Sequence, residues 1–326
     1  MEPLSPKTLA RKYAVLGLPK EKTDLLHVYF RSFSNLYGVI SIRDAWDVFR
    51  HYEGVDAVGK EDFVAFSGIV QREPGHPFSI LELEEVHSGE TSVDPLARLI
   101  VNNKLIRFGY GKYALLHDTE KLQCGKKYYL PAEKKTLLSY VEDPFYLSLD
   151  GKNMVRFLSC LTTDGQYKGL DGKPRGEILD IDGNPVAGKR LPEFVFYTQN
   201  EQHDIQYFKR ESKKELLRQE YRQTALDKIL YRFFIHLQTG EFVRRESTSG
   251  FLIMVARIMD EDFGVSLSQE QFDAFADLFT KLNNCSHLWI HRGWRPDELS
   301  QRSRALKPKR ISVSPNMKRG NGSAQI

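Results

Sequence analysis

Residues 34–54, SNLYGVISIRDAWDVFRHYEG, decide how the first half of the chain is read. Val39-Ile40-Ser41-Ile42 starts as a short extended piece, and Ser41 or Asp44 then caps a helix that turns Ala45, Trp46, Val48 and Phe49 inward. Upstream, Leu9, Tyr13, Leu16 and Leu18 predict a helix. Pro19 breaks it, and Leu25, Leu26, Tyr29, Phe30 and Phe33 resume at three-and-four spacing. Downstream, Phe63, Val64, Phe66 and Ile69 predict a second helix over 60–70, ended by Pro74-Gly75-His76-Pro77. Residues 78–86 then read as a strand with partial alternation. Helix, helix, strand is the order of a winged helix-turn-helix unit. The second helix brackets Glu61 and Asp62 between Lys60 and Arg72 without a basic cluster, which argues against a groove-reading role.

Beyond this unit, Asp94-Pro95 is a good helix start, and 94–160 is expected to be mostly helical. Two Tyr/Lys clusters interrupt it: Gly109 to Tyr113, with Lys112, and Lys126-Lys127-Tyr128-Tyr129. Interleaved Tyr and Lys can stack bases and hold phosphates. Equally, such rings seal a surface while the hydroxyl stays wet.

Residues 162–200 are rich in Gly, Pro and Asp-Gly steps, which predicts hairpins, with strands at 177–181 and 194–197. The run Asp180 to Asn184 resembles a calcium loop but fails as one, because the sixth position is Pro185 and the twelfth is Leu191. From Glu211 an apolar face runs through Leu216, Leu217, Tyr221, Leu226, Ile229, Leu230, Phe233, Phe234 and Leu237 to Gly240. A second helix over 249–263 and a third, opened by the Ser268–Gln271 capping box, complete an antiparallel bundle.

The expected fold class is mainly α with a β-rich insertion (α+β). A helical, winged-helix-like domain would span 1–160, a Gly/Pro-rich connector 161–205, a helical bundle 206–300 and a disordered basic tail 301–326. The length, 326 residues, fits about two domains, and 41% hydrophobic with 12% aromatic residues can fill proper cores.

The formal charge of +4 is unevenly placed: from Arg292 onward nine basic residues face two acidic ones, leaving a mildly acidic body. Such a tail suits nucleic acid or an acidic protein face. Cys124, Cys160 and Cys285 are too scattered for a disulfide framework, so the cytoplasm is the expected compartment. No apolar run approaches the ~18 residues of a membrane span, and no membrane partner is expected.

Residues 283–299, NNCSHLWIHRGWRPDEL, crowd chemistry-bearing side chains together. Cys285, His287 and His291 have metal-like spacing but lack a fourth ligand nearby, so no metal or other cofactor is expected. Trp289, Arg292, Trp294 and Arg295 form a candidate partner-binding patch, the residue types that carry binding hot spots. Candidate nucleic-acid contacts are Lys112, Tyr113, Lys126, Lys127, Arg302, Arg304, Lys307, Lys309 and Arg310. Walker A, GxGxxG, GxSxG and HExxH motifs are absent, so an enzyme is disfavoured. A metal-dependent nuclease or hydrolase using Asp180, Asp182 and Lys189 remains an alternative.

Taken together, the 34–49 segment and 282–299 resemble poorly characterised helical proteins of Firmicutes and their mobile elements that often end in a SEC-C zinc motif. The resemblance implies a helical interaction scaffold, acting as an inhibitor or adaptor of host nucleic-acid machinery. The zinc motif itself is missing, since no Cys or His follows Gly293. The leading expectation is thus a non-enzymatic protein that binds a protein or nucleoprotein partner, with direct nucleic-acid binding as the alternative.

Overall fold

The structure, a computed structural model, describes residues 3–87, 94–106, 111–142, 148–240 and 248–305. It is mainly α-helical with a small β component. Helix α1 (Pro6–Leu16) starts at Ser5, whose hydroxyl accepts from Thr8 N, and ends at Gly17. Helix α2 (Lys20–Tyr37) follows Pro19 and runs past the expected end to Gly38. Strand β1 (Val39–Ser41) leads directly into α3 (Ile42–Glu53), with Ser41 as the cap accepting from Asp44 N. Helix α4 (Lys60–Val70) and strand β2 (Phe78–Leu81) follow.

Here the chain departs from its periodicity. The strand expected over 78–86 stops at Leu81, and Leu83–Val86 forms one helical turn, α5. The helix expected from Asp94 lasts only a 3-10 turn (Pro95–Ala97) before strand β3 (Leu99–Asn102). The physical reason lies in the sheet, whose order is β1-β3-β2 with both pairings antiparallel. All four β3 residues are buried, because the central strand is covered on both faces.

Ile40, Ile100 and Ile80 stand in one cross-strand row and join Phe30, Phe33, Phe49, Phe63 and Phe66 in the core under α2, α3 and α4. Val39, Leu99 and Val101 point the other way, into a second core that contains the C-terminal helices. A Leu-Ile-Val run buried on both faces lacks alternation, so its spacing resembles helix as easily as strand.

Between the sheet and the bundle lie α6 (Ala114–Gln123), α7 (Lys134–Ser139) and α8 (Leu149–Ser159). The Gly/Pro-rich stretch carries the hairpin strands β4 (Gln166–Lys168) and β5 (Pro174–Glu177), displaced from the predicted 177–181 and 194–197. Ile178, Val186, Leu191, Phe194 and Phe196 are buried in the second core, so the insertion is docked on the bundle. Gly264 shows how closely: a Cβ there would stand 2.5 Å from Asp164 Oδ1.

The long apolar face expected from Glu211 is interrupted. Helices α9 (Gln199–Tyr207) and α10 (Glu211–Glu220) precede α11 (Ala225–Gln238), which restarts at a Thr224–Asp227 capping box. Lys228, buried on α11, donates to Tyr221 O at 2.8 Å across that break and pairs with Glu201 at 2.6 Å. Helices α12 (Thr248–Phe263) and α13 (Gln269–Cys285) match the predicted second and third bundle members. Helix α14 (Pro296–Ala305) closes the described chain. Among the described residues no helix is long and apolar enough to cross a membrane.

Candidate functional site

The segment between α13 and α14 is the joint of the molecule. Leu288, Trp289 and Ile290 are fully buried in the second core. Trp289 Nε1 donates to Asn35 O at 2.9 Å, at the end of α2, and Trp289 N donates to Gln238 Oε1 at 2.9 Å, on α11. Gln123 Nε2 bridges Tyr37 O at 2.9 Å and Trp289 O at 2.8 Å. One short loop therefore binds α2, α6 and α11. Arg292, at φ 51°, makes the turn that ends it; among the described residues it is the sole non-glycine with positive φ.

That turn also positions the wall of a surface cleft. Tyr129 N donates to Arg292 O at 2.9 Å, Trp294 Nε1 donates to Lys127 O at 2.9 Å, and the Arg292 guanidinium lies 4.4 Å over the Tyr128 ring. From the other side Tyr37 Oη donates to Tyr129 O at 2.8 Å and Tyr52 Oη to Pro131 O at 2.5 Å. The 127–131 segment is thus pinned beside α3. The cleft between them, ≈ 510 Å³, is lined by Asp44, Asp47, Val48, Arg50, His51, Lys127, Tyr128 and Leu130. Val48, Tyr128 and Leu130 give it apolar surface, and Asp44, Asp47, Arg50 and Lys127 bring both signs of charge to it. Leu130 is 41% exposed on an otherwise polar edge.

The predicted site residues separate into three groups. Lys127 lines the cleft, while Arg292 and Trp294 hold the cleft wall from behind. Trp289 has no accessible surface, so the contact patch expected of it is internal: an indole with a satisfied N–H in a packed core. Arg295 pairs with Glu298 at 3.0 Å at the start of α14.

The second group is occupied within the protein. Lys126 donates to Ile290 O at 2.7 Å and to His291 Nδ1 at 3.1 Å. Burial and the Lys126 charge together push the His291 imidazole down to about 4, which keeps it a neutral acceptor. His287 meets Gly293 O at 2.5 Å, and burial lowers its affinity for a proton. Cys285 is exposed. Cys285, His287 and His291 do not converge as a ligand set among the described residues.

Lys112 contacts the Tyr113 hydroxyl at 2.8 Å, and both reach Glu85, so that cluster is electrically balanced. Asp180 accepts from Asn184 N at 2.8 Å and Asp182 N at 3.0 Å, and Lys189 pairs with it at 3.3 Å. Those backbone bonds hold the carboxyl below its usual range and assign it to its own turn. The third group lies outside the description: Lys307, Lys309 and Arg310 altogether, and the side chains of Arg302 and Arg304.

One constellation was not foreseen. Tyr13, His27, Glu73 and His76 meet between α1, α2 and the loop after α4. Only Glu73 and His76 are neighbours in sequence, and the Pro74-Gly75 between them reads as turn punctuation. No family model, curated protein or solved structure matches this chain.

Proposed function

We propose that the protein is an interaction module that takes an extended polypeptide segment in the cleft between α3 and residues 127–130. The observation that carries this reading is the cleft's lining: Asp44 and the Asp47–Arg50 ion pair (3.4 Å) on α3, and Lys127 on the facing segment, surround the apolar surface of Val48, Tyr128 and Leu130. Paired opposite charges around an apolar strip complement a peptide that carries both signs. A polyanion would have to approach two carboxylates, so the same lining disfavours phosphate backbones.

The order α2-β1-α3-α4-β2-β3, with β3 central, supports reading the first unit as a winged helix-turn-helix variant. In that reading α4 takes the recognition position. Beside it lies a groove lined by Lys60, Glu61, Val64, Ala65, Asp94, Pro95 and Leu96, which suits protein better than DNA. The element order also keeps direct nucleic-acid binding as a second reading, with the basic tail as the contact. It expects affinity to fall steeply with salt and to vanish on deleting residues 302–326.

The experiment is peptide-display selection on the intact chain, followed by binding isotherms of the selected peptides to wild type, Leu130→Asp and Asp47→Lys. Selected sequences should combine an apolar residue with a lysine or arginine. Binding should fall at least ~10-fold in both variants, since ~1.4 kcal/mol is a decade. Peptides that bind both variants as tightly as wild type would refute the cleft. Salt-steep binding of DNA or RNA with no peptide selected would favour the second reading.

A further inference from the structure

His27 on α2, and Glu73 and His76 on the loop after α4, form the one His/Cys/Asp/Glu group among the described residues whose ligand atoms all lie within 4.8 Å of one another, and Tyr13 on α1 joins it through its hydroxyl. His27 Nε2 is 3.8 Å from Glu73 Oε2, and His76 Nε2 is 3.4 Å from the same oxygen. The Tyr13 hydroxyl is 3.2 Å from His27 Nε2 and donates to Glu73 Oε2 in a short hydrogen bond. The two imidazoles stack with centroids 5.2 Å apart. Gly75, at φ 91°, folds the Glu73–His76 turn back on itself.

As a purely hydrogen-bonded cluster this arrangement is poorly satisfied. His76 Nε2 is buried without a hydrogen-bond partner, and a buried polar atom left unpaired costs about 1–3 kcal/mol. Two imidazoles and one carboxylate, with Tyr13 oriented on the carboxylate, are the donor set of a tetrahedral N/O site. Bonds of about 2.0–2.1 Å in such a site place neighbouring donors about 3.3 Å apart, close to the separations of 3.4 and 3.8 Å here.

We propose that His27 Nε2, His76 Nε2 and Glu73 Oε2 bind a divalent transition metal of the zinc type. Tyr13 acts as the outer partner that orients Glu73, and the fourth position is left to water. Imidazole donors select zinc, cobalt, nickel or copper over magnesium and calcium. The Tyr13 hydrogen bond is the carboxylate-orienting contact found behind metal ligands. Because the ligands come from α2 and the loop after α4, and the outer partner from α1, the metal would staple α1 to the first core. The nearby backbone bond from Leu4 N to Arg72 O, 2.9 Å, ties the same two segments.

The test uses the full chain, stripped with EDTA, dialysed and titrated with Co²⁺. One Co²⁺ per chain should bind with the visible ligand-field absorption of a four-coordinate N/O site, and Zn²⁺ should displace it. His27→Gln and His76→Gln should each weaken binding at least ~100-fold, and Tyr13→Phe about 10-fold, as loss of an outer partner does. Far-UV circular dichroism checks each fold. Should a variant unfold, imidazole ¹⁵N shifts of the wild type decide: His27 and His76 Nε2 must move on Zn²⁺ addition while His291 does not. Absence of Co²⁺ absorption overturns the site. So does binding that survives His76→Gln, or binding that instead disappears in Cys285→Ser.

Discussion

Gly38 and Trp289 close on one another so tightly that a Cβ on Gly38 would stand 2.5 Å from the indole ring. The same indole donates to Asn35 O, a residue 254 positions away. Removing the ring should cost about 3–5 kcal/mol. Adding the methyl at a φ of 71° should cost about 2–4 kcal/mol through overpacking and backbone strain. The two changes must couple: Gly38→Ala should cost clearly less in a Trp289→Ala background, where the clash is gone. Urea unfolding of the four chains measures this, and strict additivity would contradict the contact.

Gln123 should tolerate little. Its single amide nitrogen serves Tyr37 O and Trp289 O, both buried. Gln123→Leu strands the Tyr37 carbonyl and leaves Trp289 O with only its bond from Arg292 N at 2.9 Å, for about 1–3 kcal/mol. Gln123→Glu, which aims a carboxylate at them, should be worse at neutral pH. Equal urea midpoints for Gln and Glu would show that the bridge does not form.

Acid should loosen the joint. His291 titrates near 4 in the folded chain, depressed by burial and by Lys126, against 6.5 in the unfolded chain. Between those values the unfolded state binds more protons, so stability rises with pH through this window. The contribution is complete above pH 6.5, declines below it and is gone under pH 4. Its size is about 2 kcal/mol once partial exposure to solvent is allowed for. His291→Gln should flatten that part of a stability–pH curve. An unchanged slope in the variant would assign the acid sensitivity to other groups.

The β insertion should behave as part of the bundle. Thr163 Oγ1 donates to Phe263 O at 2.6 Å, and Asp164 N donates to Gly264 O at 2.7 Å. Gly264→Ala would drive a Cβ into Asp164 and Thr163 at a φ of 61°. It should cost about 2–4 kcal/mol and expose the 164–190 segment to limited proteolysis. Cleavage rates identical to wild type would mean that the insertion is not held there.

Leu130→Asp and Asp47→Lys, which touch the proposed peptide cleft, should by contrast leave thermal stability within about 0.5 kcal/mol. A large fall in Tm for either would make them unfit as probes of binding and would indicate that the cleft wall is packed more tightly than its exposure implies.

Features with local causes were legible in the sequence. Ser41 capping α3, the break at Pro19 and the Ser268–Gln271 box each depend on residues within one turn. β3 was not legible, because Leu99, Ile100 and Val101 owe their conformation to cores on opposite faces of a sheet. Trp289 shows the same limit. Its residue type suits an exposed anchor as well as a core, and only the slot at Gly38 decides between them. The Tyr13–His27–Glu73–His76 group escaped because three separate segments supply it.

The loop at 288–294 also sets an order of events during synthesis. Until Trp289 has left the ribosome, the slot at Gly38 is empty, the Asn35 carbonyl lacks its partner, and Val39 and Val101 have no completed core to face. The first hundred residues must therefore wait, with apolar surface uncovered, for residues near 290. That interval is where chaperones would engage the nascent chain. A chain cut short before Trp289 would remain in that open state.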